Sequence, residues 1–254
     1  MDSVILGDGP LGRAIAAALV ERGDRVRVLG RPPGGAHDPA ALVGAVVAFE
    51  ASRGDAVAAN VEAIVRSGIR RLVIGTTAWD ADRSRIETIL VTGGAAAVAA
   101  PNLSLGVALF GRLVDAAVAL YGSVPAFDPY VVEWHRRGKA DRPSGTARAL
   151  AARIVAAHPR LIRVDEAPTA GPSASDALEV VGIRAGANPG SHLVGFDAPG
   201  ETVELRCVAR DRTAYAAGAL AAADWLLSAG RSPGLHAFDS VVDGVLRPEA
   251  AMAS

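Results

Sequence analysis

Aromatic side chains are scarce in this chain. Phe, Tyr and Trp make up 4% of its 254 residues although 50% are hydrophobic, so the core has to come from Ala, Val, Leu and Ile. Cysteine occurs once, at Cys207, which permits no internal disulfide and no cysteine metal cluster and suits a reducing cytoplasm. A surplus of charge is missing as well: 26 basic and 27 acidic residues leave a formal net charge of −1. So balanced a chain is not expected to partner nucleic acid or an anionic membrane surface. No apolar run approaches the roughly 20 uncharged residues of a membrane span, and the N-terminus lacks a basic-then-apolar signal. The expectation is a soluble, cytoplasmic protein, long enough for one large domain or two modest ones.

What is present starts with a short apolar strand over residues 3–6. Gly7-Asp8-Gly9-Pro10-Leu11-Gly12 follows directly, and then an Ala/Leu/Ile helix over 13–22. Strand, Gly-x-Gly-x-x-Gly, helix is the context of a dinucleotide-binding turn. Gly7, Gly9 and Gly12 let the backbone turn tightly around Pro10 and Leu11 and approach a pyrophosphate at the helix N-terminus. A second strand over 25–29 ends in Gly30-Arg31. An NAD-preferring fold puts an acid there to accept from the ribose 2′-hydroxyl, whereas Arg31 suits a 2′-phosphate. NADPH is the expected cofactor, with NADH as the alternative.

Further strands over 45–49, 71–74 and 95–99 alternate with helices over 55–67 and 80–90, after a Pro/Gly-rich loop over 32–39. Such alternation predicts an α/β, Rossmann-type, doubly wound parallel sheet, whose ligands bind beyond the strand C-termini. Gly75-Thr76-Thr77 and Ala100-Pro101-Asn102 lie at such ends. Beyond a helix over 106–121 the pattern changes to strands over 130–135, 178–184, 192–197 and 201–209, with one long helix and a 160–175 loop between them. An α+β module with an open, mixed sheet is expected there. A final helix over 214–229 returns to the first domain. The expected division is a dinucleotide-binding domain over 1–104 and 212–254, and a substrate-binding and oligomerisation domain over 105–211.

Residues 131–147 carry the densest chemistry. A strand ending in His135 runs into a charged loop with Arg136 and Lys139, and then Pro143-Ser144-Gly145-Thr146 opens an Ala/Arg/Leu helix. Ser144 is a natural N-cap, so backbone N–H groups at Gly145 and Thr146 form an anion site with the helix dipole. An imidazole, an ammonium and an anion-binding helix start within one loop suit a small carboxylate that must be gripped and protonated. The same pattern also describes a solvated loop and an ordinary cap.

Glu133-Trp-His135-x-x-x-Lys139-x-Asp141-x-Pro143-Ser144-Gly145-Thr146-Ala147 resembles the signature of the dihydrodipicolinate reductase family. Agreement continues at Gly75-Thr76-Thr77, at Ala100-Pro101-Asn102-Leu103-Ser104, at Ile183-Arg184-Ala185-Gly186 with Gly190 and His192, and at Arg210 and Arg212. The resemblance implies reduction of a cyclic imine dicarboxylate by a nicotinamide cofactor in lysine (diaminopimelate) biosynthesis. It implies that His135 and Lys139 serve the chemistry, while Arg136, Ser144, Gly145 and Thr146 hold the substrate. Phe49 and the Gly75 and Ala100 loops would line the nicotinamide side. Family members pair their open sheets into tetramers, so a homotetramer is expected. His192 either lines the cleft or is a sheet residue; His37, His158 and His236 read as loop residues without a role.

Some positions depart from the family pattern. Arg136 replaces the second His of the family pair, Pro10 replaces a frequent Arg, Ala48-Phe49-Glu50 stands for Asp-Phe-Thr, and Ala78 stands for Gly. Glu50 would bring negative charge toward an anionic cofactor, and Ala78 would restrict a position suited to Gly. A related reductase acting on a different cyclic imino acid is therefore the second expectation, and a non-catalytic nucleotide-binding paralogue the third.

Overall fold

A computed structural model describes residues 1–32, 37–166, 171–228 and 230–247. Parts of the expected 32–39 and 160–175 loops, the last residue of the 214–229 helix and the tail 248–254 lie outside the described residues. The chain divides into two compact units, Met1–Leu105 with Arg212–Ser254, and Gly106–Asp211. In chain order the first segment contributes β1 (Asp2–Leu6), α1 (Pro10–Glu21), β2 (Arg25–Leu29), β3 (Val47–Glu50), α2 (Val57–Arg66), β4 (Arg71–Ile74), α3 (Arg83–Thr92) and β5 (Ala96–Ala99). Next come α4 (Leu105–Tyr121), β6 (Asp128–His135), α5 (Gly145–Ala157), β7 (Arg163–Asp165), β8 (Ala177–Arg184), β9 (Ser191–Ala198) and β10 (Glu201–Val208). The chain ends in α6 (Thr213–Leu227), β11 (Gly234–Ala237) and α7 (Phe238–Leu246).

The first unit is a parallel sheet in the order β11-β5-β4-β3-β1-β2. Strand order reverses between β1 and β3, which creates the crevice where doubly wound folds take their ligands. Val4, Leu6, Ala48, Leu72, Ile74 and Ala97 face α2 and α3 in a core that is aliphatic apart from Trp79. Full burial of each such Val, Leu or Ile contributes about 1.5–3 kcal/mol, so aliphatic side chains supply most of what sustains the layer.

Several boundaries differ from expectation. α1 starts at Pro10 rather than at Arg13, because proline at the first helical position needs no N–H partner and presets φ. Single turns of 3-10 helix, Gly54–Ala56 and Asp80–Asp82, precede α2 and α3. β11 and α7 were not expected, and His236, assigned to a loop, lies in β11 beside Trp225.

In the second unit the sheet order is β10-β9-β6-β8-β7, antiparallel on the β9 side of β6 and parallel on the β8 side. β7 falls inside the stretch expected to be only loop, where Arg163–Asp165 pairs with Ala177–Glu179. One face of this mixed sheet packs under α4 and α5 through Val131, Val180, Val194 and Phe196. His158, also assigned to a loop, is the buried C-cap of α5. The opposite face keeps Trp134, Val181, Ile183 and Val208 exposed. Tyr130 lies flat on that side across Gly195, where any Cβ would sit 2.2 Å from its ring, and its hydroxyl donates to Glu204 at 2.9 Å.

Candidate functional site

The turn after β1 is shaped by glycine. Gly7 has φ +120°, and a Cβ there would fall 2.3 Å from the Ala51 carbonyl oxygen. A Cβ on Gly12 would lie 2.0 Å from the Gly7 carbonyl oxygen, so α1 packs onto the strand only without a side chain. Gly9, the N-cap of α1, opens instead onto free space, and no side chain caps that helix end. Uncapped N–H groups at a helix start beside an open glycine fit a phosphate of a dinucleotide.

A cavity of about 360 Å³ lies there, lined by residues 9–11, 51–54 and 75–77 with Arg212. Gly75 makes room for Leu11, whose Cδ2 would stand 2.8 Å from a Cβ at that position. A smaller cavity of about 140 Å³ joins Thr76 and Thr77 to Ala100 and Pro101. The Asn102 side chain turns the chain beyond β5 by accepting from the Ser104 N–H at 2.9 Å. Pro10, Leu11, Gly75, Thr76, Thr77 and Ala100 thus converge on these two cavities.

Other expected cofactor residues are placed differently. The Phe49 side chain is fully buried in the sheet and lines neither cavity. Arg31 is exposed beyond β2 and is likewise outside the larger cavity.

Glu50 corrects another expectation, because its side chain turns inward instead of toward the cofactor. It is 1% exposed and accepts from Asn60 Nδ2 at 2.9 Å and from the Ser52 hydroxyl. Burial, first of all, raises its pKa, against hydrogen bonds from Ser52 and Asn60 and the nearby Thr76 hydroxyl. Ala78 does occupy the left-handed region, at φ 62°, as the family's Gly there suggested.

In the second unit, β6 alternates its side chains so that Val131, Glu133 and His135 enter the inner face. Glu133 is fully buried at the centre of a polar cluster. Its Oε1 accepts from the Ser144 N–H at 2.9 Å and from Arg184 Nη2 at 2.6 Å. Its Oε2 lies 3.2 Å from His135 Nδ1 and 3.8 Å from His192 Nε2. The two imidazoles meet edge to face with centroids 5.2 Å apart, and His192 Nε2 is 3.2 Å from Ser144 Oγ.

Gly190 leaves the space for His135, since a Cβ there would be 3.0 Å from Nε2. Ser144 caps α5 as expected, its hydroxyl oxygen accepting from the Ala147 N–H at 3.2 Å. Lys139 pairs with Asp141 at 2.7 Å, and the Gly145 N–H also reaches that carboxylate. Asp141 therefore lies beside the helix start, where open N–H groups were expected. Arg136 is exposed and joins the turn through its carbonyl, which accepts from the Lys139 N–H at 3.1 Å.

Electrostatics follow from this packing. Burial lowers the His135 pKa first of all, Glu133 opposes the shift, and Lys139 and Arg184 add to it. His192 is pushed down to about 4, by burial first and by His135 next. Burial would raise the Glu133 carboxyl, but the Ser144 hydroxyl, Arg184 and the Ser144 N–H outweigh it and hold the group low. Two neutral imidazoles thus flank one anionic carboxylate near neutral pH. Glu133 and Arg184 were overlooked as site residues. The available signal was a Glu on the apolar face of an alternating strand.

Comparison with known proteins gives the family context. Residues 106–242 match the family model described as dihydrodipicolinate reductase, C-terminus. A protein of Wolinella succinogenes named 4-hydroxy-tetrahydrodipicolinate reductase is 36% identical over 198 residues, covering 73% of this chain and 72% of the relative. One of the same name from Methanopyrus kandleri is 36% identical over 205 residues, covering 80% of this chain and 73% of that one. A dipicolinate-bound dihydrodipicolinate reductase from Paenisporosarcina sp. TG-14 shares the fold with a TM-score of 0.72 at 18% identity, covering 93% of this chain and 97% of the other.

Proposed function

The chain belongs to the dihydrodipicolinate reductase family, and we propose from that premise how its residues divide the work of an NAD(P)H-dependent reductase in lysine biosynthesis. The substrate is 4-hydroxy-tetrahydrodipicolinate, after the name that the relatives carry. The single observation that carries the assignment is the buried cluster of Glu133, His135, His192, Ser144 and Arg184 beside the Lys139 loop.

A bound nicotinamide dinucleotide supplies the hydride. Gly7, Gly9 and Gly12 give its phosphates a backbone they can approach, and Thr76, Thr77 and Ala100 bound the cavities beside them. Arg31, exposed at the end of β2, pairs with a 2′-phosphate, which makes NADPH the preferred form.

One carboxylate of the substrate replaces Asp141 at Lys139 and the Gly145 N–H, each contact being charge-assisted. The positive charge of Lys139 stabilises negative charge wherever the reduced product is most anionic. His135, mostly neutral because it is buried, relays or shares the proton and is not its only source. Arg136 is exposed and keeps positive charge at the loop rim, which is the observation that favours the second reading, a different cyclic imino acid.

The exposed sheet face of Trp134, Val181, Ile183 and Val208 supports assembly into a homotetramer, because an open apolar sheet needs cover. The single cysteine and the absence of any helix long and apolar enough to cross a membrane, among the described residues, agree with a cytoplasmic enzyme. Oxidation of NADPH with the dihydrodipicolinate precursor, beside a panel of cyclic imino acids, tests the reading.

A further inference from the structure

Glu133 has two oxygens with separate duties. Oε1 is saturated by Arg184 Nη2 and the Ser144 N–H. Oε2 is buried without a formed hydrogen bond, and so is His135 Nδ1, which stands 3.2 Å away. A charged carboxylate can only accept, so the ring nitrogen facing it has to carry the hydrogen. The neutral ring then exposes its Nε2 lone pair on the side of Gly190, where the missing side chain leaves room.

We propose that Glu133 is the positioning residue of the substrate half-site, fixing His135 as the Nδ1–H tautomer through Oε2 while anchoring the α5 start through Oε1. The geometry links the two tasks. Ser144, whose N–H is bound by Oε1, uses its hydroxyl to cap α5 and to face His192 Nε2 at 3.2 Å. His192 in turn meets the His135 ring edge to face. One carboxylate on β6 thereby sets the ring that handles the proton and the helix start that grips the substrate. Gly182 on β8 belongs to the same arrangement, because a Cβ there would press within 3.0 Å of Glu133 Oε1.

The charged and titratable groups around His135 are Glu133 on its own strand, Arg184 on β8, His192 on β9, and Lys139 and Asp141 in the following loop. Glu133 and Asp141 favour its protonated form, and Lys139 and Arg184 oppose it. Removal of the Glu133 charge should move the acid limb of the pH profile to lower pH.

The inference rests on the reductase reading for its kinetic readout only. Nitrogen-15 NMR of the histidine-labelled native protein above neutrality should show His135 with Nδ1 protonated and Nε2 bare. Finding the Nε2–H tautomer would overturn the proposal, and this measurement requires neither turnover nor a variant. For Glu133→Gln, kcat per folded molecule should fall about tenfold or more, the cofactor KM should hold, and the acid limb should shift downward. Unchanged kcat and pH profile in folded Glu133→Gln would likewise overturn it. If the native tautomer is as stated but no cyclic imino acid is reduced, the reductase reading fails and the positioning geometry stands.

Discussion

Lys139 Nζ stands 2.7 Å from Asp141 Oδ1, so the ammonium that should grip a substrate carboxylate is already holding one. Asp141 thus sits where the proposed substrate carboxylate would bind. On the proposed role of Lys139, a substrate carboxylate would compete with Asp141 for one ammonium. That role makes Lys139 the residue whose loss should be felt most.

Lys139→Met should lower kcat by about 10² or more, since it removes fixed charge where the product is most anionic. His135→Gln keeps a donor and should retain more activity, because the buried imidazole shares the proton and does not supply it alone. Hydride transfer from NADPH in single-turnover experiments is the readout. Equal losses in the two variants would remove the distinction, and losses below about threefold in both would move the chemistry elsewhere.

Arg31→Ala should weaken NADPH and spare NADH. A charge-assisted phosphate contact contributes about 1.5–3 kcal/mol, which is about ten- to a hundredfold in KM. Parallel losses for both cofactors would show that Arg31 does not read the 2′-phosphate.

Acid should destabilise the folded chain in two windows. The unfolded His192 titrates near 6.5, and burial lowers the folded group to about 4. Between those values the unfolded chain binds the extra proton, so stability falls as pH drops, by on the order of 3 kcal/mol in all. His192→Phe should shrink this first window in urea titrations at a series of pH values, leaving the contribution of His135, whose pKa burial also lowers. The depressed Glu133 carboxyl contributes stability above the ordinary carboxylate range and loses it as pH falls through its lower folded pKa, so the second window lies at more acid pH and survives the substitution.

The open sheet face should mediate assembly. Trp134→Glu places a charge among Val181, Ile183 and Val208 and should shift light scattering from tetramer to smaller species. A monomeric parent at micromolar concentration would contradict the tetramer.

Much of the fold was legible because the first unit repeats one signal, an apolar strand followed by an amphipathic helix, and both β2 and β4 fall where that signal places them. β11 was not legible. Gly234–Ala237 is short and contains a His, and its partner β5 lies far back in the chain. β7 is shorter still and pairs across a loop. In the site, Ser144 was readable as a cap from local sequence alone. Glu50 was misread because its partner Asn60 lies on α2, and no local pattern says that an acid at a strand end turns inward toward the next helix. Glu133 was missed for a related reason. Its worth comes from Arg184 and Ser144, which only the assembled sheet brings together.

The central claim is that this chain reduces 4-hydroxy-tetrahydrodipicolinate with a nicotinamide cofactor. The most direct measurement is NADPH oxidation by the purified protein with the freshly generated dihydrodipicolinate precursor, run beside a panel of other cyclic imino acids. The account predicts turnover of the dicarboxylate with a higher kcat/KM than any other member of the panel, and its loss in Lys139→Met. A higher kcat/KM for a monocarboxylate imino acid, or no oxidation with any of them by folded protein, would contradict it.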